Sequence, residues 1–383
     1  MDWVAQHYDV AVIGAGIAGA SVAAELAGSC RVVLLEQENQ AGYHTTGRSA
    51  AVYAPLYGPQ PIRALTRASL VCFERPAEGF TDSPLLSKID AFFVARPDQE
   101  RALDTMQKEL IDVTTVQRVG ASELRAQMPL LREGYAIGGI WDSGTYVIDV
   151  AALHHAYLRR FKNEGGNLIL RLGVIGLART NSGWCIKTTL GNITADIVIN
   201  AAGAWAEQVG QMANAEHIGL VPKRRTALIV DAPKDIDVAD LPFVVDVDEQ
   251  FYLKPDAGKF LISPANEDPE VPCDVRPDEM DIAICIDRIE RAFNISVRRI
   301  EASWAGLRSF VADKCPVAGF SYQAEGFYWL AGQGGYGIQS APALAQLAAA
   351  EVLRRPIPEQ LVKEGLDPAK IRPARQGIGH DIN

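Results

Sequence analysis

The sequence has few of the residues that bind metals or form disulfide bonds. Its six cysteines, among 383 residues, are scattered without a Cys-x-x-Cys pair. The six histidines include the neighbours His154 and His155 but no His-x-His or His-Glu-x-x-His pattern. Adjacent residues on a helix point about 100° apart, so this pair is a poor metal clamp. We therefore predict no metal site, and free thiols in a reducing compartment.

Long apolar runs and an excess of positive charge are also missing. No stretch approaches about 20 apolar residues without a charge, which predicts no transmembrane segment. The N-terminus lacks the pattern of a secretory signal, so we expect a cytoplasmic protein, with peripheral attachment to the inner membrane as the alternative. A net charge of −10 argues against nucleic acid as a partner.

The N-terminal segment contains two short apolar runs separated by a helix-forming stretch. Val10–Ile13 and Arg31–Leu35 are typical of strands inside a parallel sheet, and Ala20–Ala27 is small and favours a helix. A strand, a helix and a strand within so short a segment predict one βαβ unit.

A dinucleotide fingerprint lies in this unit. Gly14, Gly16 and Gly19 fit the pattern Gly-x-Gly-x-x-Gly between the first strand and the helix, and Glu36 ends the second strand. The glycines suit a tight turn, close approach of a pyrophosphate and close helix packing, while Glu36 suits ribose hydroxyls. The helix N-terminus offers free N–H groups to phosphate. The fingerprint alone leaves FAD and NAD open.

The rest of the chain predicts two kinds of architecture. Strand–helix alternation returns near 150–203 and 326–354, whereas the segments between contain antiparallel strands, such as those flanking the turn Pro255–Gly258. We predict an α/β fold in which a Rossmann-like nucleotide-binding domain is built from discontinuous segments, with an inserted, mainly antiparallel β substrate domain. The nucleotide-binding domain is placed at 1–84, 146–218 and 305–383, and the substrate domain at 85–145 and 219–304.

Four further blocks carry a family resemblance. They are Gly42–Ala51, Asn200–Trp205, Trp304–Arg308 and Gly332–Gln339. With them the chain resembles the D-amino-acid oxidase/glycine oxidase superfamily of FAD-dependent oxidoreductases, and within it the bacterial D-arginine dehydrogenases. The resemblance implies that the nucleotide is noncovalent FAD, clamped between the two domains.

Matching positions then imply a set of cofactor contacts. The residues implied are Ala18, Glu36 and Gln37 at the adenosine end; Thr45, Thr46, Ser49 and Ala50 along the pyrophosphate, ribityl chain and ring; Val174 at the adenine; and Gly335, Tyr336, Gly337, Ile338 and Gln339 at the pyrimidine edge. The last group precedes a helix, and a helix N-terminus stabilises the negative charge of a reduced flavin.

The resemblance also implies a substrate site. Arg225 and Arg308 match residues that bind the substrate carboxylate, a role suited to the planar fork of a guanidinium. Tyr57, in a loop that could act as a lid, and Tyr252 match active-site tyrosines, and Gly335 is included with them. The alternatives are surface or ion-paired arginines and tyrosines that pack in the core.

Two positions depart from the resembled enzymes. Val52 stands where they have a histidine, and Ala91 where they have a glutamate that pairs with the arginine side chain of the substrate. Asp90 is adjacent, but neighbours on a strand face opposite ways. Phe243 and Val245 would then line a pocket without charge, which predicts a preference for neutral or apolar D-amino acids over D-arginine.

The implied reaction is oxidative deamination of a D-amino acid. A hydride leaves the substrate Cα for flavin N5, and the imino acid hydrolyses to a 2-oxo acid and ammonia. Two alternative reactions are the oxidation of N-methyl or other secondary amino acids and the oxidation of a 2-hydroxy acid. Two alternative classes of protein are an NAD-dependent dehydrogenase and a noncatalytic flavin-binding protein. The electron acceptor (a quinone, an electron carrier or O2) and the oligomeric state stay open.

Overall fold

The computed structural model describes residues 6–110 and 115–379. The helices are α1 (Ile17–Ala27), α2 (Gln60–Glu74), α3 (Glu100–Glu109), α4 (Ala121–Gln127), α5 (Val150–Asn163), α6 (Ala206–Met212), α7 (Glu279–Ala292), α8 (Gly337–Val352) and α9 (Glu359–Lys363). The strands are β1 (His7–Ile13), β2 (Val32–Leu35), β3 (Val52–Tyr53), β4 (Leu86–Lys88), β5 (Ala91–Ala95), β6 (Val116–Gly120), β7 (Gly138–Asp142), β8 (Tyr146–Ile148), β9 (Asn167–Ile169), β10 (Val174–Thr180), β11 (Gly183–Thr188), β12 (Gly191–Asn200), β13 (Val221–Val230), β14 (Phe243–Asp246), β15 (Tyr252–Asp256), β16 (Lys259–Ser263), β17 (Asp268–Pro269), β18 (Ile300–Phe310), β19 (Val317–Phe320) and β20 (Phe327–Ala331).

The first sheet has a parallel centre in the order β9-β2-β1-β12-β20. Antiparallel strands β10, β11 and β19 extend it. Its central strands are apolar on both faces because helices cover it, with α1, α5 and α8 packed against one another in one large core. The predicted βαβ unit at the N-terminus is confirmed as β1, α1 and β2.

The second sheet is antiparallel except where β14 runs parallel to β5. Its order is β17-β13-β16-β15-β14-β5-β7-β6, with β18 beside β13. It has a separate core, to which α7 contributes Cys285 and Ile289. A small sheet, β3-β8-β4, completes the described strands. The predicted fold class, a Rossmann-like sheet with a separate and mainly antiparallel one, is confirmed.

The predicted domain limits stay a prediction, although the strands show how the chain divides between the sheets. Most strands of the parallel sheet come from 7–35, 167–200 and 317–331, and most of the antiparallel sheet from 91–142 and 221–310. β18 pairs with β13 along its length, so this strand crosses the limit predicted between residues 304 and 305.

The C-terminal segment beyond Pro356 is mostly polar in sequence. Its Leu361 and Ile371 are nevertheless fully buried. Arg372 forms an ion pair with Glu351 of α8, at 2.5 Å. The few apolar side chains of this segment thus anchor it to the larger core. Among the described residues, no helix combines the length and the apolar character needed to cross a membrane.

Candidate active site

The glycine-rich turn after β1 has the geometry that its three glycines predict. Gly14 has φ +98°, and a Cβ added there would lie 2.5 Å from the carbonyl oxygen of Ala201. A Cβ at Gly19 would lie 1.8 Å from the carbonyl oxygen of Gly14. A side chain at either position would collide with backbone, so the turn can bring β1, α1 and β12 this close only with glycine.

Hydrogen bonds from side chains to the backbone fix the conformation of this turn. The N–H of Ile17, at the start of α1, donates to Thr46 Oγ1 at 2.9 Å. Glu36 accepts from the N–H of Ala15 at 2.8 Å. On the other side, His154 Nε2 lies 3.0 Å from the carbonyl oxygen of Ala15, and burial lowers the pKa of this histidine. His154 therefore supports the turn as a neutral donor to the Ala15 carbonyl.

A cavity of about 350 Å³ opens beside this turn, and we call it the cofactor cavity. Its lining includes the predicted residues Gly14, Gly16, Glu36, Gln37, Thr45, Thr46 and Val174. Ala18 and Gly19 lie on α1 outside that lining. Trp205 and His44 also face it, with their rings 4.7 Å apart. Sequence reasoning did not single out these two residues, although both lie in the blocks that carry the resemblance.

Two further cavities continue from the cofactor cavity. The middle cavity shares Thr45 and Thr46 with it and adds, among others, Ser49, Ala50, Gly335, Gly337, Ile338 and both candidate arginines. The inner cavity shares Ser49, Ala50, the arginines and Tyr252 with the middle one, and adds Tyr57 and Gln339. Apart from Ala18, Gly19 and Tyr336, the predicted cofactor and substrate residues therefore line one continuous path that starts at the dinucleotide fingerprint.

The head of α8 borders this path. The first turn of a helix has N–H groups without intrahelical acceptors, and α8 begins at Gly337. Gln339 is only 3% exposed; its Oε1 accepts from the N–H of Ala54 at 2.9 Å. Its Nε2 has no hydrogen-bond partner in the part of the chain that the structure describes. A buried donor without a partner at the cavity wall fits a polar ligand edge such as that of a flavin.

Among the residues predicted at the pyrimidine edge, 335–339, only Tyr336 lines neither the middle nor the inner cavity. It lines a wider outer cavity of about 690 Å³, which shares Tyr57, Phe93 and Glu249 with the inner cavity. The ring of Tyr336 packs edge-on against that of Tyr57, with centroids 5.0 Å apart. Tyr336 therefore supports the wall of the inner cavity from outside.

The register of two antiparallel strands brings the arginines together. Arg225 of β13 pairs with Gly306 of β18, and Arg308 lies two residues further along β18. Residues two apart on a strand share a face, so both guanidinium groups point to the same side of the sheet. A Cβ at Gly335 would lie 2.8 Å from Arg308 Nη1, and the absence of a side chain there allows the guanidinium to approach the head of α8.

The two guanidinium groups are held differently. Arg225 is 6% exposed, and its Nε donates to the carbonyl oxygen of Asn266 at 2.8 Å, its Nη2 to Glu267 at 3.3 Å. Burial and the nearby Arg308 lower the pKa of Arg225. The guanidinium of Arg308 has no hydrogen-bond acceptor among the described residues. Burial acts against its charge, but the fields of Tyr252, Tyr57 and Glu249 raise its pKa. Two adjacent guanidinium groups with unused donors suit a carboxylate.

A carboxylate that the sequence reasoning missed lies opposite these arginines. Tyr57 donates its hydroxyl to Glu249 Oε2 at 2.8 Å, and burial raises the pKa of Tyr57 well above its ordinary value. Glu249 lies in the turn between β14 and β15 with φ +55°. The side chain of Asp246 fixes that turn by accepting from the N–H of Asp248 at 3.0 Å. The prediction of a pocket without charge is therefore wrong.

The two departures from the resembled enzymes, Val52 and Ala91, are placed differently. Phe243 and Val245 line the inner cavity, as does Val52. Ala91 is buried in β5 beside Phe243 and is absent from the lining. Asp90 lies 3.7 Å from Lys88 in an exposed ion pair, so it does not supply the acidic group. A signal for Glu249 did exist, because an acidic turn of 246–250 directly precedes the strand that carries Tyr252.

Comparison with known proteins gives the family context of this geometry. Residues 9–351 match the family model described as "DAO: FAD dependent oxidoreductase". The chain is 24% identical over 368 residues to glycine oxidase of Geobacillus kaustophilus, covering 91% of this chain and 94% of that protein. It is 25% identical over 266 residues to human mitochondrial dimethylglycine dehydrogenase, covering 64% of this chain. This chain spans 30% of the human protein's length and 44% of that of its mouse counterpart.

Solved structures show the same fold. The crystal structure of glycine oxidase from Geobacillus kaustophilus has a TM-score of 0.84 at 23% identity, covering 97% of this chain and 99% of that one. Iminodiacetate oxidase from Chelativorans sp. BNC1 has a TM-score of 0.79 at 22% identity, covering 95% and 98%. At these identities the likeness concerns architecture, and the substrate must be argued from the cavities.

Proposed function

Because the chain belongs to the family of FAD-dependent oxidoreductases and has FAD as its cofactor, we propose that it catalyses the oxidative deamination of D-amino acids. The observation that carries this proposal is the path of cavities from the glycine-rich turn to a pair of arginines with unused donors. The ADP half of FAD suits the cofactor cavity, and its ring suits the middle cavity beside the head of α8. The amino acid then occupies the inner cavity.

Bound FAD supplies a two-electron acceptor for the hydride of the substrate Cα. The chain's own residues orient the substrate. Arg308 and the free Nη1 of Arg225 hold its carboxylate, which fixes Cα in one place, and catalysis of this kind works by orientation. The amine loses its proton before Cα is oxidised, and the imino acid product adds water to release ammonia. Burial keeps the Tyr57 hydroxyl protonated, so it acts as a donor.

The walls of the inner cavity support an apolar substrate side chain. Phe93, Phe243 and Val245 are among the apolar residues that line it. Glu249 is the exception, but its Oε2 accepts from Tyr57, and its charge offsets part of the charge of the two arginines. We therefore propose that neutral and apolar D-amino acids are better substrates than D-arginine or D-lysine.

Anaerobic reduction of the bound flavin across a substrate panel tests this proposal. The panel holds D-leucine, D-methionine, D-phenylalanine, D-arginine and D-lysine, with the L-enantiomers as matched controls. We expect the apolar D-amino acids to bleach the flavin fastest. D-arginine or D-lysine far ahead of them in kcat/KM would reject the side-chain preference, and faster reduction by the L-series would reject the stereochemistry.

A second candidate, oxidation of N-methyl or other secondary amino acids, has an observation of its own. Small apolar residues of one segment, Ala50, Ala51, Val52 and Ala54, line the inner cavity and offer apolar contacts to an N-alkyl group. Dimethylglycine dehydrogenase and iminodiacetate oxidase are among the similar proteins. Adding sarcosine, N-methyl-D-leucine and a 2-hydroxy acid to the panel separates the reactions. Admitting oxygen to the reduced enzyme then distinguishes an oxidase, which reoxidises at once, from a dehydrogenase.

A further inference from the structure

The residue that fixes Arg225 is itself fixed by a buried carboxylate outside the cavities. Asp281, in the first turn of α7, is 7% exposed and lines none of the cofactor, middle and inner cavities. Its Oδ2 accepts from Asn266 Nδ2 at 3.0 Å and from Thr226 Oγ1 at 2.9 Å. It also accepts from Arg224 Nε at 2.8 Å. Three donors from two segments therefore meet at one buried oxygen.

These contacts enclose Arg225 on both sides. Arg224 and Thr226 are its neighbours in β13, and both bind Asp281. Asn266 closes the ring, because its Oδ1 accepts from the N–H of Thr226 at 2.9 Å while its carbonyl oxygen accepts from Arg225 Nε. The backbone of β13 and the loop that carries Asn266 are therefore locked together around one guanidinium group.

The consequence is a defined direction for the one free nitrogen of Arg225. Nε and Nη2 are bound to Asn266 and Glu267, and Nη1 has no acceptor among the described residues. Arg225 lines the middle and inner cavities, so Nη1, with both of its N–H groups unused, is available to a ligand there. A guanidinium with two of its nitrogens fixed has a single orientation, and a ligand that binds it does not have to order it.

We propose that Asp281 and Asn266 are positioning residues, which hold Arg225 so that Nη1 meets the substrate carboxylate. This inference rests on the proposed role of Arg225 in carboxylate binding. Asp281 acts through Asn266, since Asn266 alone among its donors also contacts the Arg225 guanidinium. Without this link the Asn266 carbonyl would hold Arg225 Nε less firmly, and the carboxylate would bind less tightly although its binding groups are all present.

The test uses the FAD-loaded enzyme and two probes that differ only in charge. They are 4-methylpentanoate, which is the leucine skeleton without its amine, and 4-methylpentanamide, each titrated by the change in flavin absorbance. Asn266→Ala keeps the backbone carbonyl that accepts from Arg225 Nε but removes the side-chain bonds to Thr226 and Asp281 that fix its position. We expect this variant to bind the carboxylate about fivefold to tenfold more weakly, the order of one hydrogen bond, and the amide less than twofold more weakly. Asp281→Ala should act in the same way, and the double variant should be no worse than Asp281→Ala alone, since the two act in series.

Arg224→Met provides the matched control. It removes one donor to Asp281 but leaves the Asn266 and Thr226 bonds, so thermal stability should fall while carboxylate affinity stays within twofold. If Asp281→Ala does not fold, Asn266→Ala alone decides. Additive losses in the double variant, or equal losses for acid and amide, would overturn the proposal.

Arg225→Met distinguishes a failure of carboxylate binding by Arg225 from a failure of the positioning role of Asn266. If it leaves 4-methylpentanoate affinity unchanged, carboxylate binding by Arg225 is wrong, and with it this part of the proposed function. If Arg225→Met weakens the carboxylate but Asn266→Ala does not, only the positioning role is wrong. In the Arg225→Met background, Asn266→Ala should not further lower the affinity for 4-methylpentanoate. A further loss of affinity would show that Asn266 does not act through Arg225.

Discussion

Replacing Arg308 by methionine tests the centre of the proposed site. Methionine keeps much of the length and the apolar stem but removes the charge and the donors. Arg308 donates to no other described residue, so the change leaves no acceptor of the folded protein unpaired, and its cost falls on the substrate. Two charge-assisted hydrogen bonds at about 1.5 kcal/mol each amount to about 3 kcal/mol. We therefore expect kcat/KM to fall about 150-fold, since each 1.36 kcal/mol is worth about a factor of ten.

The assay compares steady-state kcat/KM for the best D-amino acid of the panel with the flavin content per protein. FAD content should be unchanged, because the proposal places the ADP half in the cofactor cavity, which Arg308 does not line. Arg308→Lys is the matched control, since it keeps the charge but loses the planar fork and should recover about tenfold of the loss, or one charge-assisted bond. A near-normal kcat/KM in Arg308→Met with full FAD content would refute the assignment.

Further predictions concern the turn, the missed carboxylate and the effect of acid. Gly19→Ala should abolish FAD binding or folding, because its Cβ would lie 1.8 Å from the carbonyl oxygen of Gly14; normal flavin content would contradict this. Glu249→Gln should change the ratio of kcat/KM for D-leucine to that for D-arginine by less than about threefold. A lost charge-assisted bond of roughly 1.5 kcal/mol would change this ratio about tenfold. A selective loss of activity toward D-arginine would therefore show that Glu249 binds a cationic side chain. Burial lowers the pKa of His154, so the unfolded chain binds the proton more tightly and stability is lost as the pH falls through the unfolded value of about 6.5. The melting temperature should show this loss, and His154→Gln, which can still donate to Ala15, should reduce it.

Much of the fold could be predicted because its signals are local. The apolar run of β1, the spacing of Gly14, Gly16 and Gly19 and the acidic residue after β2 all lie within one βαβ unit. Each of these features follows from steric or electrostatic effects between residues of that unit and does not depend on the rest of the chain. The hairpin at Pro255–Gly258 was visible for the same reason, and Ala257 and Gly258 have the positive φ that such a turn requires.

The charges of the inner cavity could not be predicted in this way. Arg225 and Arg308 are separated by many residues, and the register of β13 and β18 places them on one face. Glu249 reaches the same cavity from a turn fixed by Asp246. The acidic turn could be seen in the sequence, but not which of its carboxylates enters the cavity. A missing carboxylate at Ala91 therefore did not mean an uncharged pocket.

By itself the sequence determined the dinucleotide turn, the two kinds of sheet and, through its further blocks, the use of FAD. These follow from short segments, in which steric limits act between residues close in the chain. Only the tertiary structure showed that Glu249 shares the inner cavity with the two arginines, and that the Asp281–Asn266 link lies behind Arg225. The physical reason is that burial and strand register set the distance between charges, and both depend on residues far apart in the chain.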